Sequence, residues 1–384
     1  MKLFILFTLL FSSLYAVTIK TGAQSTGKYL PLLKDKKVAV VVNQSSLVDN
    51  THLVDLLLEH KIQLKTIFAP EHGFRGMADA GEHLKNGIDI QSGLPIISLY
   101  GKHKKPTKKD LEGIDVIVFD IQDVGVRFYT YLSTLHYIME AAAESDVKVI
   151  VLDRPNPNGN RIDGPVMQKK FYSFVGLHPV PLLYGMTIGE YAEMINGEGW
   201  LNNGVKTDLH VVELEHYTHN TFYHLPIKPS PNLPNDLSVL LYPSLALFEG
   251  TQVSAGRGTE KQFQLYGTPH YQVRKFSFIP KPMSGAKYPK HKGKRCYGVD
   301  LSRLDVKKLH QIQTMDLTYL LDAYKNYDDK EKFFLKNDFF DRLAGNNSLQ
   351  QQVISVVSEE NIRKSWEREL VLFRAIRQKY LLYP

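Results

Sequence analysis

The sequence is poor in cysteine, since Cys296 is the single one among 384 residues. A lone cysteine excludes a disulfide within the chain and a zinc site built on several thiolates. The sequence also lacks Gly-x-Gly-x-x-Gly, the P-loop motif and Gly-x-Ser-x-Gly. These absences argue against a dinucleotide cofactor, a P-loop NTPase and a serine hydrolase of the nucleophile-elbow type.

An apolar run long enough to span a bilayer is also missing. The run from Leu3 to Phe11 is too short, and it follows Lys2 and precedes the small residue Ala16. This arrangement is typical of a signal peptide, although an uncleaved anchor is the alternative interpretation. We therefore predict a signal peptide at 1–16, an exported protein that is periplasmic or secreted, and no stable membrane insertion after cleavage.

The excess of basic residues is modest, with 47 Lys and Arg against 40 Asp and Glu. The lysines cluster in short segments, at 102–109 and 287–295, rather than along a basic stripe interleaved with aromatic residues. Short charge runs of this kind are typical of solvated surfaces. We therefore expect no nucleic-acid partner.

Short apolar runs alternate with segments of helical spacing through the first half of the chain, which predicts an α/β domain with a parallel sheet. The proline-rich segment 228–235 ends this alternation, and we place a domain boundary there. An amphipathic helix is predicted at 359–380. The other predicted elements are strands at 38–42, 64–68, 95–100, 115–119, 147–152 and 209–214, and helices at 53–58, 130–144 and 187–195.

Polar side chains follow four of the predicted strands. They lie at 43–44, 69–76, 120–123 and 153–159. Ligands of parallel α/β sheets bind outside the carboxyl ends of the strands. The four segments therefore predict one polar cleft.

Glu71 is the candidate that we single out in this cleft. It lies between Pro70 and Gly73, on a backbone restricted by proline and opened by glycine. Such a carboxyl suits general acid catalysis, and the alternative role is to bind backbone N–H groups of its own loop. The nearby His72, His83 and Glu82 match no metal motif of known geometry, so we predict neither a metal nor another cofactor.

Several long motifs resemble those of the NamZ-type exo-β-N-acetylmuramidases. The resemblance covers nearly everything after the signal peptide. The motifs are Ala-Pro-Glu-His-Gly-Phe-Arg-Gly (69–76), Asp-Ile-Gln-Asp-Val-Gly-Val-Arg-Phe-Tyr-Thr-Tyr (120–131), Leu-Asp-Arg-Pro-Asn-Pro-Asn-Gly (152–159), Gly-Met-Thr-Ile-Gly-Glu (185–190), Ser-Pro-Asn-Leu-Pro (230–234) and Tyr-Pro-Ser-Leu-Ala-Leu-Phe-Glu-Gly-Thr (242–251).

The resemblance implies a Rossmann-like catalytic domain at 17–235 and a smaller α+β auxiliary domain at 236–384, with the active-site cleft between them. It implies release of terminal N-acetylmuramic acid (MurNAc) from non-reducing ends of peptidoglycan fragments. Two alternatives stay open: a binding protein that captures cell-wall sugars without cleaving them, and a cell-wall amidase or esterase.

Candidate site residues follow from that chemistry. Glycoside hydrolysis needs an acid and usually a second carboxylate, unless the substrate's acetamido group assists. Arginines suit the lactyl carboxylate of MurNAc. Glu71 is the predicted acid, with Glu82, Asp120 and Asp123 as candidates for the second carboxylate, Arg75, Arg127 and Arg257 for the lactyl group, and His72, Tyr129, Asn156 and Asn232 for the rest of the sugar.

The sequence departs from the family pattern in three places. Tyr184 replaces a common histidine, Ala255 replaces a glutamate, and the segment 260–263 replaces a more usual Thr-Arg-Pro-Phe. The loss of the glutamate removes one carboxylate that family members carry.

Overall fold

The structure of the protein is a computed structural model that describes residues 18–71, 73–74 and 86–384. The predicted signal peptide lies outside the described residues. So do three of the candidate site residues, His72, Arg75 and Glu82.

The described strands fall into one large sheet and several small ones. They are β1 (Lys37–Val42), β2 (Leu47–Val48), β3 (Thr51–His52), β4 (Gln63–Ala69), β5 (Gly87–Ile88), β6 (Pro95–Ser98), β7 (Val116–Asp120), β8 (Lys148–Leu152), β9 (Ile162–Asp163), β10 (Leu183–Tyr184), β11 (Leu209–Val212), β12 (Leu265–Thr268), β13 (Ser277–Phe278) and β14 (Cys296–Asp300).

The described α-helices surround the large sheet and build most of the C-terminal part. They are α1 (Thr26–Leu33), α2 (Leu53–Glu59), α3 (Tyr131–Ala143), α4 (Ile188–Gly197), α5 (Asp236–Leu245), α6 (Val306–Gln311), α7 (Thr318–Lys325), α8 (Phe339–Ala344), α9 (Ser348–Ile354), α10 (Glu359–Lys364) and α11 (Glu367–Arg377).

The large sheet has the strand order of a Rossmann-like fold. Within the described residues its order is β11-β8-β7-β1-β4-β6-β5, and all pairings are parallel except that of β5 with β6. The chain first builds one side of β1 through β4 and β6, and then crosses to build the other side through β7, β8 and β11. The switch in direction therefore lies between β1 and β7, where ligands of such sheets commonly bind.

Alternate residues of β1 pack into two different apolar layers. Ala39 and Val41 belong to the larger core, together with side chains of α3 and α4. Val38, Val40 and Val42 belong to a second core, together with side chains of α1 and α2. Both faces of the sheet are thus covered, which explains why its strands are nearly continuous apolar runs.

Capping residues set the starts of α4 and α5. Thr187 and Glu190 form the predicted capping box at α4. Asn235 and Ser238 form another at α5, directly after the proline-rich segment. The segment 228–235 is thus a loop that leads into α5. The domain boundary at 235/236 stays a prediction.

The C-terminal part combines helices with a small antiparallel sheet of order β12-β14-β13. The single helix predicted at 359–380 is wrong, because two helices, α10 and α11, occupy this segment. Ser365 lies between them and donates its hydroxyl to the Ile362 carbonyl at 2.6 Å, and Trp366 is buried. A serine bonded to the backbone of the preceding turn favours a helix end, which the periodicity of apolar residues does not reveal.

Candidate active site

A cavity of about 550 Å³ opens at the carboxyl ends of β4, β6 and β7, against the C-terminal part. Its volume lies within the range of small-ligand sites. It is lined by Glu71, Tyr100, Gly101, Lys104, Phe128, Tyr129, Thr130, Tyr131, Phe174, Val175, Ser230, Asn232, Leu233, Tyr242, Ala246, Glu249, Arg257, Phe263, Phe339 and Leu343.

A tight turn after β4 brings Glu71 to the cavity wall. The Gly73 N–H donates to the Pro70 carbonyl at 3.0 Å, and Gly73 has a φ of 79°. Glycine adopts this left-handed backbone without the strain that a side chain would cause. The turn formed by Pro70 and Gly73 therefore holds Glu71 just beyond the end of β4, as predicted. Glu71 is half-buried there.

Two neutral hydroxyl groups contact the Glu71 carboxylate. Thr130 donates from Oγ1 to Oε2 of Glu71 at 2.6 Å. The Tyr100 hydroxyl is hydrogen-bonded to the same carboxylate, and burial together with the Glu71 charge raises the pKa of Tyr100. These contacts orient a carboxyl group at the edge of the cavity, as general acid catalysis requires.

A second carboxylate, Glu249, lies on the side of the cavity that the C-terminal part contributes. It belongs to the 3₁₀ turn Ala246–Gly250 that follows α5. Its Oε1 is 3.2 Å from Nε of Arg257, so the two side chains form an ion pair. Among the described residues that line the cavity, Glu71 and Glu249 are the two carboxylates. Glu249 lies within the family motif at 242–251 but was not among the predicted site residues.

Aromatic side chains form much of the remaining wall. Phe263 packs edge-on against Tyr242 at a centroid distance of 4.9 Å. The Cζ atom of Arg257 lies 5.6 Å from the centre of the Phe263 ring. Phe263 has a φ of 53°, which is uncommon for an aromatic residue and costs of order 1–3 kcal/mol. Tyr129 also lines the cavity, and its hydroxyl donates to the Pro229 carbonyl at 2.7 Å. The proline-rich segment is thereby bound to the wall.

Asp120 does not line the cavity. It is fully buried and forms two short contacts with Arg154, from Nε to Oδ1 at 2.5 Å and from Nη2 to Oδ2 at 2.9 Å. A buried carboxylate bound on both oxygens to a guanidinium is occupied by its partner. Asp120 therefore forms a buried ion pair with Arg154 and is not a second carboxylate beside Glu71.

Asp123 also lies behind the cavity wall. Its Oδ2 accepts hydrogen bonds from the Gly125 N–H at 2.7 Å and from the Tyr184 hydroxyl. Burial raises the pKa of Asp123 to about 6, against the lowering effect of these donors. Tyr184, the first departure from the family pattern, is thus a buried partner of Asp123.

The Arg127 guanidinium is bound by backbone carbonyls. Nη1 donates to Pro165 and Val180, and Nη2 donates to Leu343 and Ala344, at distances of 2.7 to 2.9 Å. A Cβ on Gly345 would approach Nη2 of Arg127 to 2.6 Å, so this contact requires glycine. The structure does not bring Arg127 to the cavity, and the guanidinium instead binds the end of α8.

The two candidate asparagines have different positions. Asn156 is buried away from the cavity, where its Nδ2 donates to the Met186 carbonyl at 2.8 Å. Asn232 lines the cavity, and its Nδ2 donates to the Gly285 carbonyl at 2.7 Å. The Oδ1 atom of Asn232 accepts no hydrogen bond from the described residues. The cavity therefore contains Glu71, Tyr129, Asn232 and Arg257 of the described candidates.

Family models cover the two halves of the chain. Residues 38–237 match the N-terminal model of the exo-β-N-acetylmuramidase NamZ, and residues 240–383 match the C-terminal model. The chain belongs to the NamZ family. The peptidoglycan β-N-acetylmuramidase NamZ of Bacillus subtilis strain 168 is 40% identical over 381 residues, which cover 92% of this chain and 89% of that protein.

Two crystal structures of DUF1343 family proteins from Bacteroides fragilis NCTC 9343 have the same fold as this NamZ-family chain. One is 43% identical with a TM-score of 0.89, and the alignment covers 96% of this chain and 99% of the other. The second is 31% identical with a TM-score of 0.79, and the alignment covers 95% and 99%. The predicted α/β fold with a Rossmann-like sheet is confirmed.

The position of the missing family glutamate lies beside the cavity wall rather than on it. Ala255 is buried, and its carbonyl accepts a hydrogen bond from the Phe263 N–H at 2.8 Å. Both Arg257 and Phe263 line the cavity in this NamZ-family chain. The departures at 255 and 260–263 therefore concern the loop that supports these two residues.

The described part of the chain contains neither a cluster of metal-ligating side chains nor a helix suited to a membrane. Within 18–71, 73–74 and 86–384, no group of three or more His, Cys, Asp or Glu side chains is arranged to hold a metal ion. None of the helices in these same ranges combines the length and hydropathy needed to cross a membrane.

Proposed function

We propose that the protein is an exo-acting glycosidase that releases terminal MurNAc from the non-reducing ends of peptidoglycan fragments, with Glu71 as general acid. Family membership supports the broader assignment to the peptidoglycan glycosidases. The observation that carries the proposal is the hydrogen-bonded Glu71 carboxyl on a cavity wall, with Glu249 on the same cavity.

Hydrolysis of the glycosidic bond breaks the bond between the anomeric carbon and the leaving oxygen and adds water across it. In the proposed reaction Glu71 transfers a proton to the leaving oxygen, the anomeric carbon receives the hydroxyl group of water, and the remaining proton of that water passes to a carboxylate of the site. Glu249 takes the part of the second carboxylate, in place of the candidates Asp120 and Asp123, which do not line the cavity. Arg257 holds its side chain through the 3.2 Å ion pair.

The acid role is tested with Glu71→Gln and two kinds of substrate. General acid catalysis contributes about 10²–10⁴-fold, so we expect a loss of at least about a hundredfold in turnover of a MurNAc-GlcNAc disaccharide. The loss on nitrophenyl MurNAc should be smaller, because nitrophenolate leaves with little protonation. Glu249→Gln should instead lower both rates by similar factors, since it does not act on the leaving oxygen.

The exposed Glu112 provides a matched control, because Glu112→Gln makes the same chemical change outside the cavity. Normal disaccharide turnover by a folded Glu71→Gln protein would remove Glu71 from the acid role. Equal losses on both substrates for Glu71→Gln would assign it to binding instead.

We also propose that the protein acts outside the cytoplasm, where peptidoglycan is found, after removal of residues 1–16. Mass spectrometry of protein from the native cells should give a chain that begins near residue 17. A soluble cytoplasmic protein that retains Met1 would contradict export.

A further inference from the structure

The loop that follows β6 carries four basic side chains in a row, at 102–105. His103 lies 3.1 Å from Asp110, and Lys105 lies 2.7 Å from both Glu140 and Glu144. These contacts fix the loop on both sides of Lys104. Lys102, in contrast, is exposed to solvent.

Lys104 is the member of this row that lines the cavity. Its Nζ lies 4.8 Å from the centre of the Phe174 ring, within the range of a cation–π contact. Among the described residues, no carboxylate forms an ion pair with Lys104. Its charge is therefore held at the cavity wall by an aromatic face and is available to an anionic ligand.

Phe174 is itself held in place by its neighbours. Its ring stacks on Tyr137 at a centroid distance of 6.3 Å and meets the edge of Tyr100 at 5.9 Å. The Phe174 carbonyl accepts a hydrogen bond from the Ser133 hydroxyl at 2.8 Å. Tyr100 also bonds to Glu71, so the aromatic wall below Lys104 continues to the proposed acid.

The described arginines that were candidates for an anionic substrate are already engaged. Arg257 is paired with Glu249, and Arg127 is bound to four carbonyls away from the cavity. Since Lys104 and Arg257 are the two cationic side chains that line the cavity in the described residues, Lys104 is the one without a carboxylate partner.

We propose that Lys104 determines specificity by binding the lactyl carboxylate of MurNAc, while Phe174 packs against the sugar. This inference rests on the proposed function, because it names the group that distinguishes MurNAc from GlcNAc in the same cavity. GlcNAc lacks the carboxylate and leaves the ammonium group without an anionic partner. A charge-assisted hydrogen bond of this kind contributes enough to separate the two sugars by at least about tenfold.

Binding of monosaccharides tests the inference without depending on catalysis. Calorimetry measures the affinities of MurNAc, GlcNAc and MurNAc whose lactyl carboxyl is converted to a methyl amide. Wild-type protein should prefer MurNAc over both others by about tenfold or more. Lys104→Met keeps an apolar side chain over Phe174 and should abolish this preference, whereas Lys104→Arg should restore most of it. Lys102→Met, in the same loop, should leave it unchanged.

Two results would overturn the inference. One is a MurNAc preference that persists in folded Lys104→Met, and the other is a wild-type protein that lacks the preference. The proposed function fails separately, if the wild-type protein releases no MurNAc from a glycoside. A preference that depends on Lys104 would then describe a binding site without hydrolysis.

Discussion

The hydroxyl of Thr130 is used at the cavity rather than in helix capping. Thr130 is the N-cap residue of α3, but its side chain makes no capping hydrogen bond and donates to Glu71 instead. A capping side chain typically contributes about 1 kcal/mol to helix stability. Thr130 thus orients Glu71 instead of making the capping hydrogen bond that its N-cap position would favour.

Residue type and position along the chain predicted some site residues and missed others. Glu71 was predictable because it lies two residues beyond the end of the buried strand β4, between Pro70 and Gly73. Glu249 was not, because it lies in a short turn whose approach to the cavity depends on packing between the two halves of the chain. Asp120 lies at the carboxyl end of β7, so its position along the chain resembles that of Glu71, but Arg154 binds it inside the protein.

The buried guanidinium of Arg127 gives a prediction at the residue scale. The lysine side chain has one nitrogen and cannot donate to all four carbonyls that accept hydrogen bonds from Nη1 and Nη2 of Arg127. An unsatisfied buried carbonyl costs about 1–3 kcal/mol, so Arg127→Lys should lower the free energy of unfolding by at least this amount. Urea denaturation measures the change, and exposed Arg303→Lys is the control. Normal stability combined with loss of the MurNAc preference would return Arg127 to sugar recognition.

At the scale of elements, the apolar runs predicted the sheet well. Strands β1, β4, β7 and β8 occur where apolar runs predicted them, and their carboxyl ends are neighbours. The prediction of one polar cleft was less complete, because several of these polar groups bond to other parts of the fold. Oδ2 of Asp153, for example, accepts hydrogen bonds from Thr187 and Tyr383 at 2.7 Å. Spacing in the sequence does not indicate which polar groups at the strand ends will be covered by later segments of the chain and which will face the cavity.

A buried chain of hydrogen bonds connects α3 to α4. Nδ1 of His136 lies 3.0 Å from Nε2 of His178, whose Nδ1 lies 3.0 Å from the Tyr191 hydroxyl. Burial lowers the pKa of both histidines, and the neighbouring His136 lowers that of His178 further. The Glu140 carboxylate opposes this effect at His136, while Lys105 adds to it.

These lowered pKa values predict acid sensitivity. Below the ordinary histidine pKa of about 6.5, the unfolded chain binds protons that the folded protein does not. The contribution of these histidines to the free energy of unfolding should therefore be constant above this pH and fall as the pH decreases, by up to about 1.4 kcal/mol per pH unit for one histidine. The raised pKa values of the buried Asp123 and Asp153 act in the opposite direction, in the wild-type protein and in histidine variants alike. Urea denaturation from pH 8 to pH 5 should give a shallower decline for His178→Gln than for the wild-type protein.

Exposed His60 is the control for this measurement, and His60→Gln should keep the wild-type decline. The histidine explanation fails if His178→Gln loses stability on acidification as steeply as the wild-type protein does.

At the scale of the whole molecule, the cavity does not lie at the switch point between β1 and β7. The loop after β1 fills the crevice beside β7, where the Ser45 hydroxyl accepts a hydrogen bond from the Gln122 N–H at 3.0 Å. Asn43 extends from this loop to the Tyr131 hydroxyl at 3.0 Å, and Tyr131 lines the cavity. The cavity is thus displaced toward β4 and β6, where the C-terminal part closes it.

This arrangement explains why the family motifs are spread over the whole chain. The first half contributes Glu71, Lys104 and aromatic residues such as Phe174, and the second half contributes Glu249, Arg257 and the aromatic residues Tyr242 and Phe263. Neither half contains both carboxylates. The assembly of the two halves was implied by the resemblance, whereas the residues that meet across the cavity required the three-dimensional structure.

The most direct measurement of the central proposal compares two chromogenic substrates with the wild-type protein. Nitrophenyl MurNAc and nitrophenyl GlcNAc differ by the lactyl ether and carry the same leaving group. We expect nitrophenolate and free MurNAc to be released from the first, with kcat/KM exceeding that for GlcNAc by at least about tenfold. Binding of MurNAc without release of nitrophenolate, or faster hydrolysis of the GlcNAc glycoside, would contradict the assignment as an exo-β-N-acetylmuramidase.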